Sequence, residues 1–144
     1  VSVSLDANLL VYASRPESPE HEAAGRLLRE LVEGPELLCL TWLTLSAYLR
    51  LATNPRVFKE PLSPSEAAAN VHALLERPRT RLLVEEDGFW DVYRGLLEAH
   101  RARANLVPDV HLAALLRQHG VSRFYTRDRD FRRFEFLEVR DLQG

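Results

Sequence analysis

Apolar residues recur along this chain in two rhythms: short alternating or continuous stretches, and longer runs at helical spacing. Val1-Ser-Val-Ser-Leu5 alternates as a strand does and stops at Asp6. Asn8 to Ala13 is apolar enough for a short helix, broken at Arg15-Pro16. From Pro19 to Glu33, Ala23, Ala24, Leu27, Leu28 and Leu31 fall on one helical face, and Gly34-Pro35 ends the run. Leu37 to Leu40 predicts a buried strand. Thr41 then caps a helix through Ala52, with the break at Thr53-Asn54-Pro55. Ser63-Pro64-Ser65-Glu66 has the spacing of a capping box with proline at the first helical position, opening a helix to about Glu76. A strand over Arg81–Val84, a helix from Gly88 to Ala102 and a helix from Pro108-Asp109 to His119-Gly120 follow. The chain closes with a strand over Arg123–Tyr125, a helical turn over Asp128–Arg133 and a strand over Phe136–Val139. Strand and helix alternate with short loops, which predicts an α/β fold with a parallel sheet covered on both faces. Ligands in such folds bind beyond the C-terminal ends of the strands.

The composition narrows the class. A chain of 144 residues, 46% hydrophobic, predicts one domain spanning 1–144. Its apolar runs are far shorter than the ~20 residues needed to cross a bilayer. The single cysteine, Cys39, cannot form an internal bridge, and no leader sequence is visible, so a cytoplasmic protein is expected. Net charge is −2, which offers no support for a uniformly basic nucleic-acid-binding surface. Of the 19 basic residues only Lys59 is lysine. Receiver-type phosphoacceptor chemistry, which wants a lysine after a late strand, is therefore disfavoured.

Three aspartates occupy positions where chemistry is expected. Asp6 follows the first strand, Asp128 comes shortly after the Arg123–Tyr125 strand, and Asp109 sits at a helix start. Carboxylates brought together repel one another and call for a cation. Oxygen ligands without paired histidine or cysteine select Mg²⁺ or Mn²⁺. Each aspartate alone also suits a capping role. His21, His72, His100 and His119 show no zinc spacing, and His111 reads as a helix-surface residue. Cys39 reads as inert core, Trp42, Tyr48, Phe89, Trp90 and Tyr93 as core or interface aromatics, and Glu85-Glu86-Asp87 as a solvated loop.

Leu5-Asp6-Ala7-Asn8-Leu9-Leu10-Val11-Tyr12-Ala13 resembles the first motif of PIN-domain nucleases, and of VapC-type toxins in particular. Leu106-Val107-Pro108-Asp109-Val110-His111-Leu112 resembles their third motif, and Thr126-Arg127-Asp128-Arg129-Asp130-Phe131 their fourth. Thr41 to Phe58 is similar to the segment carrying the second. Four motifs in order cover essentially the whole chain.

The resemblance implies a three-layer α/β/α fold and a Mg²⁺- or Mn²⁺-dependent endoribonuclease. Asp6, Asp109 and Asp128 would hold the ion directly or through its waters, and Thr126 would order the site, with Asn8 in a similar supporting role. It also implies a homodimer held in check by a VapB-type antitoxin. One position departs: the family's glutamate is replaced by Ala47, which leaves Asp130 as a nearby reserve and implies weakened or absent catalysis. A non-catalytic module that binds RNA or an antitoxin is the alternative. RNA phosphates need cations, and Arg50, Arg127, Arg129, Arg132 and Arg133 lie nearest the motifs.

Overall fold

The computed structural model describes residues 1–142. Five strands form one sheet: β1 (Ser2–Leu5), β2 (Leu37–Thr41), β3 (Thr80–Leu83), β4 (Arg123–Tyr125) and β5 (Glu138–Arg140). Their order is β3-β2-β1-β4-β5, and every neighbouring pair is parallel. Six helices cover it: α1 (Ala7–Ser14), α2 (His21–Glu33), α3 (Trp42–Ala52), α4 (Pro64–Leu75), α5 (Phe89–Ala99) and α6 (Leu106–Gln118).

The alternation of strand side chains divides the core in two. Val3, Leu5, Leu38 and Leu40 bury one sheet face against Leu9 and Leu10 of α1, Leu45 and Tyr48 of α3, and Val71 of α4. Cys39, Leu83 and Phe124 bury the other against Leu96 of α5, Val110 and Ala113 of α6, and Phe131 and Phe134. The expected three-layer α/β/α arrangement is therefore present. The chain builds outward from β1 through β2 to β3, then crosses back by α5 and α6 to β4 on the far side of β1. The strand order reverses between β1 and β4, and there the loops leaving the strands diverge into a crevice.

Several boundaries differ from expectation. α6 begins at Leu106, so Pro108 lies inside its first turn, where a missing N–H removes no intrahelical bond. α5 stops at Ala99, and Arg101 and Ala104 take positive φ in the link that follows. α2 starts at His21 instead of Pro19, β3 spans Thr80–Leu83, and β5 spans Glu138–Arg140. The Ser63–Glu66 capping box is formed as read.

Thr41 ends β2 and caps α3, its buried Oγ1 accepting from the Thr44 amide at 3.2 Å. Thr41→Ala removes that acceptor from a buried site. It is expected to lower unfolding free energy by about 1–2 kcal/mol, read as a reduced urea midpoint with unchanged slope.

Candidate functional site

The sheet ladder delivers the first residues of the site. The Asp6 amide donates to the Tyr125 carbonyl at 2.9 Å, and the Thr126 amide donates to the Arg140 carbonyl at 2.8 Å. Both side chains thus emerge at adjacent strand ends from backbone that is still hydrogen-bonded as sheet. Thr126 is buried, and its hydroxyl donates to Asp6 Oδ2 at 2.7 Å while accepting from the Asp128 amide at 2.9 Å. One hydroxyl therefore ties the carboxylate after β1 to the loop after β4. Asp6 Oδ1 accepts from the Ala7 amide at 2.7 Å, which makes Asp6 the N-cap of α1 as well. Capping and site roles coincide in one residue.

Asp128 is exposed and opens a 3-10 turn over Arg129–Arg133, its Oδ1 accepting from the Asp130 amide at 2.9 Å. Phe131 anchors that turn, packing on Phe124 with ring centroids 4.8 Å apart. Asp109 stands in the first turn of α6. Asp6, Asp109 and Asp128 line one cleft of about 820 Å³, together with Ala47, Arg50 and Trp42 of α3. The three aspartates thus share one cleft.

The electrostatics of the cleft are those of crowded carboxylates. Burial, then the charges of Asp128, Asp6 and Asp130, push Asp109 up to about 6, against a smaller opposing effect of Arg133. Burial also raises Asp6, partly offset by the Thr126 and Ala7 hydrogen bonds. Among the described residues, no three His, Cys, Asp or Glu side chains stand close enough to grip one ion directly. By donor chemistry, an all-oxygen, mutually repelling set of carboxylates suits a hard cation such as Mg²⁺ better than zinc.

Ala47 lies on the cleft wall, flanked along α3 by Leu43 one turn before and Arg50 one turn after, while Leu45 and Tyr48 face the core. A carboxylate at position 47 would enter the cleft. Of the arginines, Arg50 lines the cleft and is exposed. Arg129, Arg132 and Arg133 are exposed on the turn beside Asp128. Arg127 points elsewhere, pairing with Glu20 at 3.3 Å and with Asp141 at 3.3 Å. Burial raises the Cys39 thiol, in keeping with an inert core residue.

Two residues of the cleft wall lack their expected surroundings. His111 Nε2 lies 2.9 Å from Glu85 Oε2, and the imidazole stacks on Tyr93 at 5.0 Å between centroids. Glu85 is therefore part of the cleft and not a free loop residue, and His111 is wall and not open surface. A separation of 26 positions leaves no local signal of the pairing. Trp42 and Trp90 are 52% and 59% exposed, which excludes both from the core.

Comparison with known proteins agrees with this architecture. The PIN domain family matches residues 3–137. Ribonuclease VapC48 of Mycobacterium tuberculosis is 40% identical over 141 residues, covering 98% of this chain and 97% of the relative. The crystal structure of Mycobacterium tuberculosis VapC20, a sarcin-ricin loop cleaving toxin, superposes with a TM-score of 0.69 at 21% identity, covering 96% of this chain and 99% of that one. VapBC2 from Rickettsia felis, solved bound to a promoter DNA fragment, gives a TM-score of 0.67 at 16% identity, over 98% of each chain.

Proposed function

The chain belongs to the PIN-domain family, on its VapC ribonuclease branch, and we propose that it is a Mg²⁺- or Mn²⁺-dependent endoribonuclease toxin whose turnover is weakened by Ala47. The observation that carries this reading is the convergence of Asp6, Asp109 and Asp128 on one cleft at the reversal of strand order. A divalent ion held there would lower the pKa of a bound water and offset the charge of a phosphodiester. Asp6, fixed by the Thr126 hydroxyl and the Ala7 amide, and Asp109 and Asp128 facing it would hold that ion, largely through its waters. Arg50 and the arginines of the 129–133 turn would bind backbone phosphates on either side. Water attack in line would leave 5′-phosphate and 3′-hydroxyl ends.

As a VapC-type toxin, the protein would have a VapB-type antitoxin as its partner and would act as a homodimer. Family resemblance supports both.

The test is to incubate the purified chain with a mixed RNA pool and Mg²⁺ and to map new 5′ ends. Slow cleavage bearing 5′-phosphates, abolished by EDTA and by Asp6→Asn, is expected. Saturable RNA or antitoxin binding with no cleavage in any metal would favour the non-catalytic module, the reading that Ala47 itself supports.

A further inference from the structure

We propose that Trp42 is a base-binding residue, stacking an unpaired nucleobase next to the phosphate held at the carboxylates. The inference rests on the nuclease reading and names the side chain that would hold the base beside the reacting phosphate.

Trp42 begins α3 directly after Thr41, whose side chain and backbone are fixed by the end of β2 and the cap of the helix. The indole thus rises from a rigid base, yet it is 52% exposed and lines the cleft that holds Asp6, Asp109 and Asp128. Half-exposing the largest apolar side chain without a partner is unfavourable, and an aromatic face at a wet cleft is where ligand contact recovers the loss. The charged groups of the cleft can serve the phosphate. Arg50 offers charge, and the carboxylates need a cation before any phosphate can approach. A chain whose phosphodiester lies against those carboxylates must place a neighbouring nucleotide along the cleft wall. That wall carries the Trp42 ring and also the imidazole of His111, which is held in orientation by Glu85 and by Tyr93. Aromatic faces of this kind take bases of any identity, provided they are unstacked. A duplex keeps its bases stacked inside and would not reach the ring.

The same surface could instead cover a protein partner. Continuity with the acidic site favours RNA, because the indole shares its cleft with the aspartates.

Both tryptophans are exposed, so Trp90→Phe leaves Trp42 as the sole indole reporter. In that background, with Ca²⁺ in place of Mg²⁺ to load the carboxylates while slowing any cleavage, a single-stranded hexaribonucleotide is expected to quench Trp42 emission saturably. A hexamer duplex and an abasic hexamer of equal charge should quench little. Trp42→Ala should weaken single-strand affinity by roughly 10-fold or more, the range set by one stacked base, and Trp42→Phe should restore much of it. Thermal melting of each variant reports whether the fold is kept.

Equal RNA affinity for the parent and Trp42→Ala, or equal quenching by the abasic hexamer, overturns the base-binding role. If RNA is still cleaved by the Ala47→Glu form in that case, the nuclease reading survives. Absence of both RNA binding and cleavage overturns the two together. A Trp42→Ala protein that binds RNA as the parent does but changes its sedimentation from dimer to monomer places a second protein chain on this face and also overturns the proposal.

Discussion

Ala47→Glu is expected to raise Mg²⁺-dependent RNA cleavage by roughly 100-fold or more over the parent chain. The wall of the cleft at this point offers a methyl group between Leu43 and Arg50, so α3 brings no carboxylate to orient a metal-bound water or take its proton. Removing or supplying one group that orients a metal's waters typically changes activity about 10–100-fold, and a positioned general base contributes about 10²–10⁴-fold. Glutamate and alanine are both strong helix formers, so α3 should persist. Without metal, a further carboxylate adds to the repulsion that already raises Asp109. The Ala47→Glu protein should therefore melt lower than the parent in EDTA and recover more on adding Mg²⁺. Ala47→Gln, equal in size and uncharged, should show neither effect. Initial rates on a 5′-labelled RNA and paired melting curves with and without Mg²⁺ check both outcomes. An Ala47→Glu protein that binds Mg²⁺ and RNA yet never cleaves would point to the binding-module alternative.

The sheet and the aspartates could be read from sequence for one reason. Short apolar runs ending at Asp6 and just before Thr126 mark strand ends, and parallel strand ends share one rim. Asp109 was legible as a residue near a helix start, although α6 begins three residues earlier because Pro108 is tolerated within a first turn. What was not legible depends on contacts between distant segments. Arg127 belongs to the run beside Asp128, but Glu20, 107 positions away, turns it from the cleft. Glu85 and His111 meet only because the loop after β3 runs along α6, and their separate neighbourhoods suggest a solvated loop and a helix surface. Trp42 carries no local sign of exposure, since an apolar residue after an apolar strand is ordinarily core. Its place at the start of α3, above the strand ends, decides the matter.

Asp109→Asn is expected to stabilise the metal-free protein at neutral pH while removing part of its response to Mg²⁺. The ordinary value for this carboxyl is 3.8, and in the folded chain it is pushed up to about 6 by burial and by Asp128, Asp6 and Asp130. Between those values the folded state holds a proton that the unfolded chain has released. Stability therefore falls as pH rises from about 4 to 6 and stays reduced above that range. Two pKa units correspond to about 3 kcal/mol. The carboxyl is only partly buried, so solvent screening reduces the net effect to about 1–2 kcal/mol. The opposite sign would apply to a carboxylate stabilised by a cationic partner, and here Arg133 is too weak a counterweight to reverse it. Asparagine keeps the shape and carries no charge, so urea unfolding in EDTA should show the variant more stable at pH 7.5 and nearly equal at pH 4. A residual slope should remain, because Asp6 is raised in the same direction and is untouched. A divalent ion acts by the same electrostatics from the other side, stabilising the folded state in proportion to how well the carboxylates hold it. The parent should thus gain stability with Mg²⁺ at pH 7.5, and Asp109→Asn should gain less, in the same titration that shows it more stable without metal. Equal pH profiles for the two proteins would mean that Asp109 does not feel Asp6 and Asp128, and with that the electrostatic case for a shared cation site would fall.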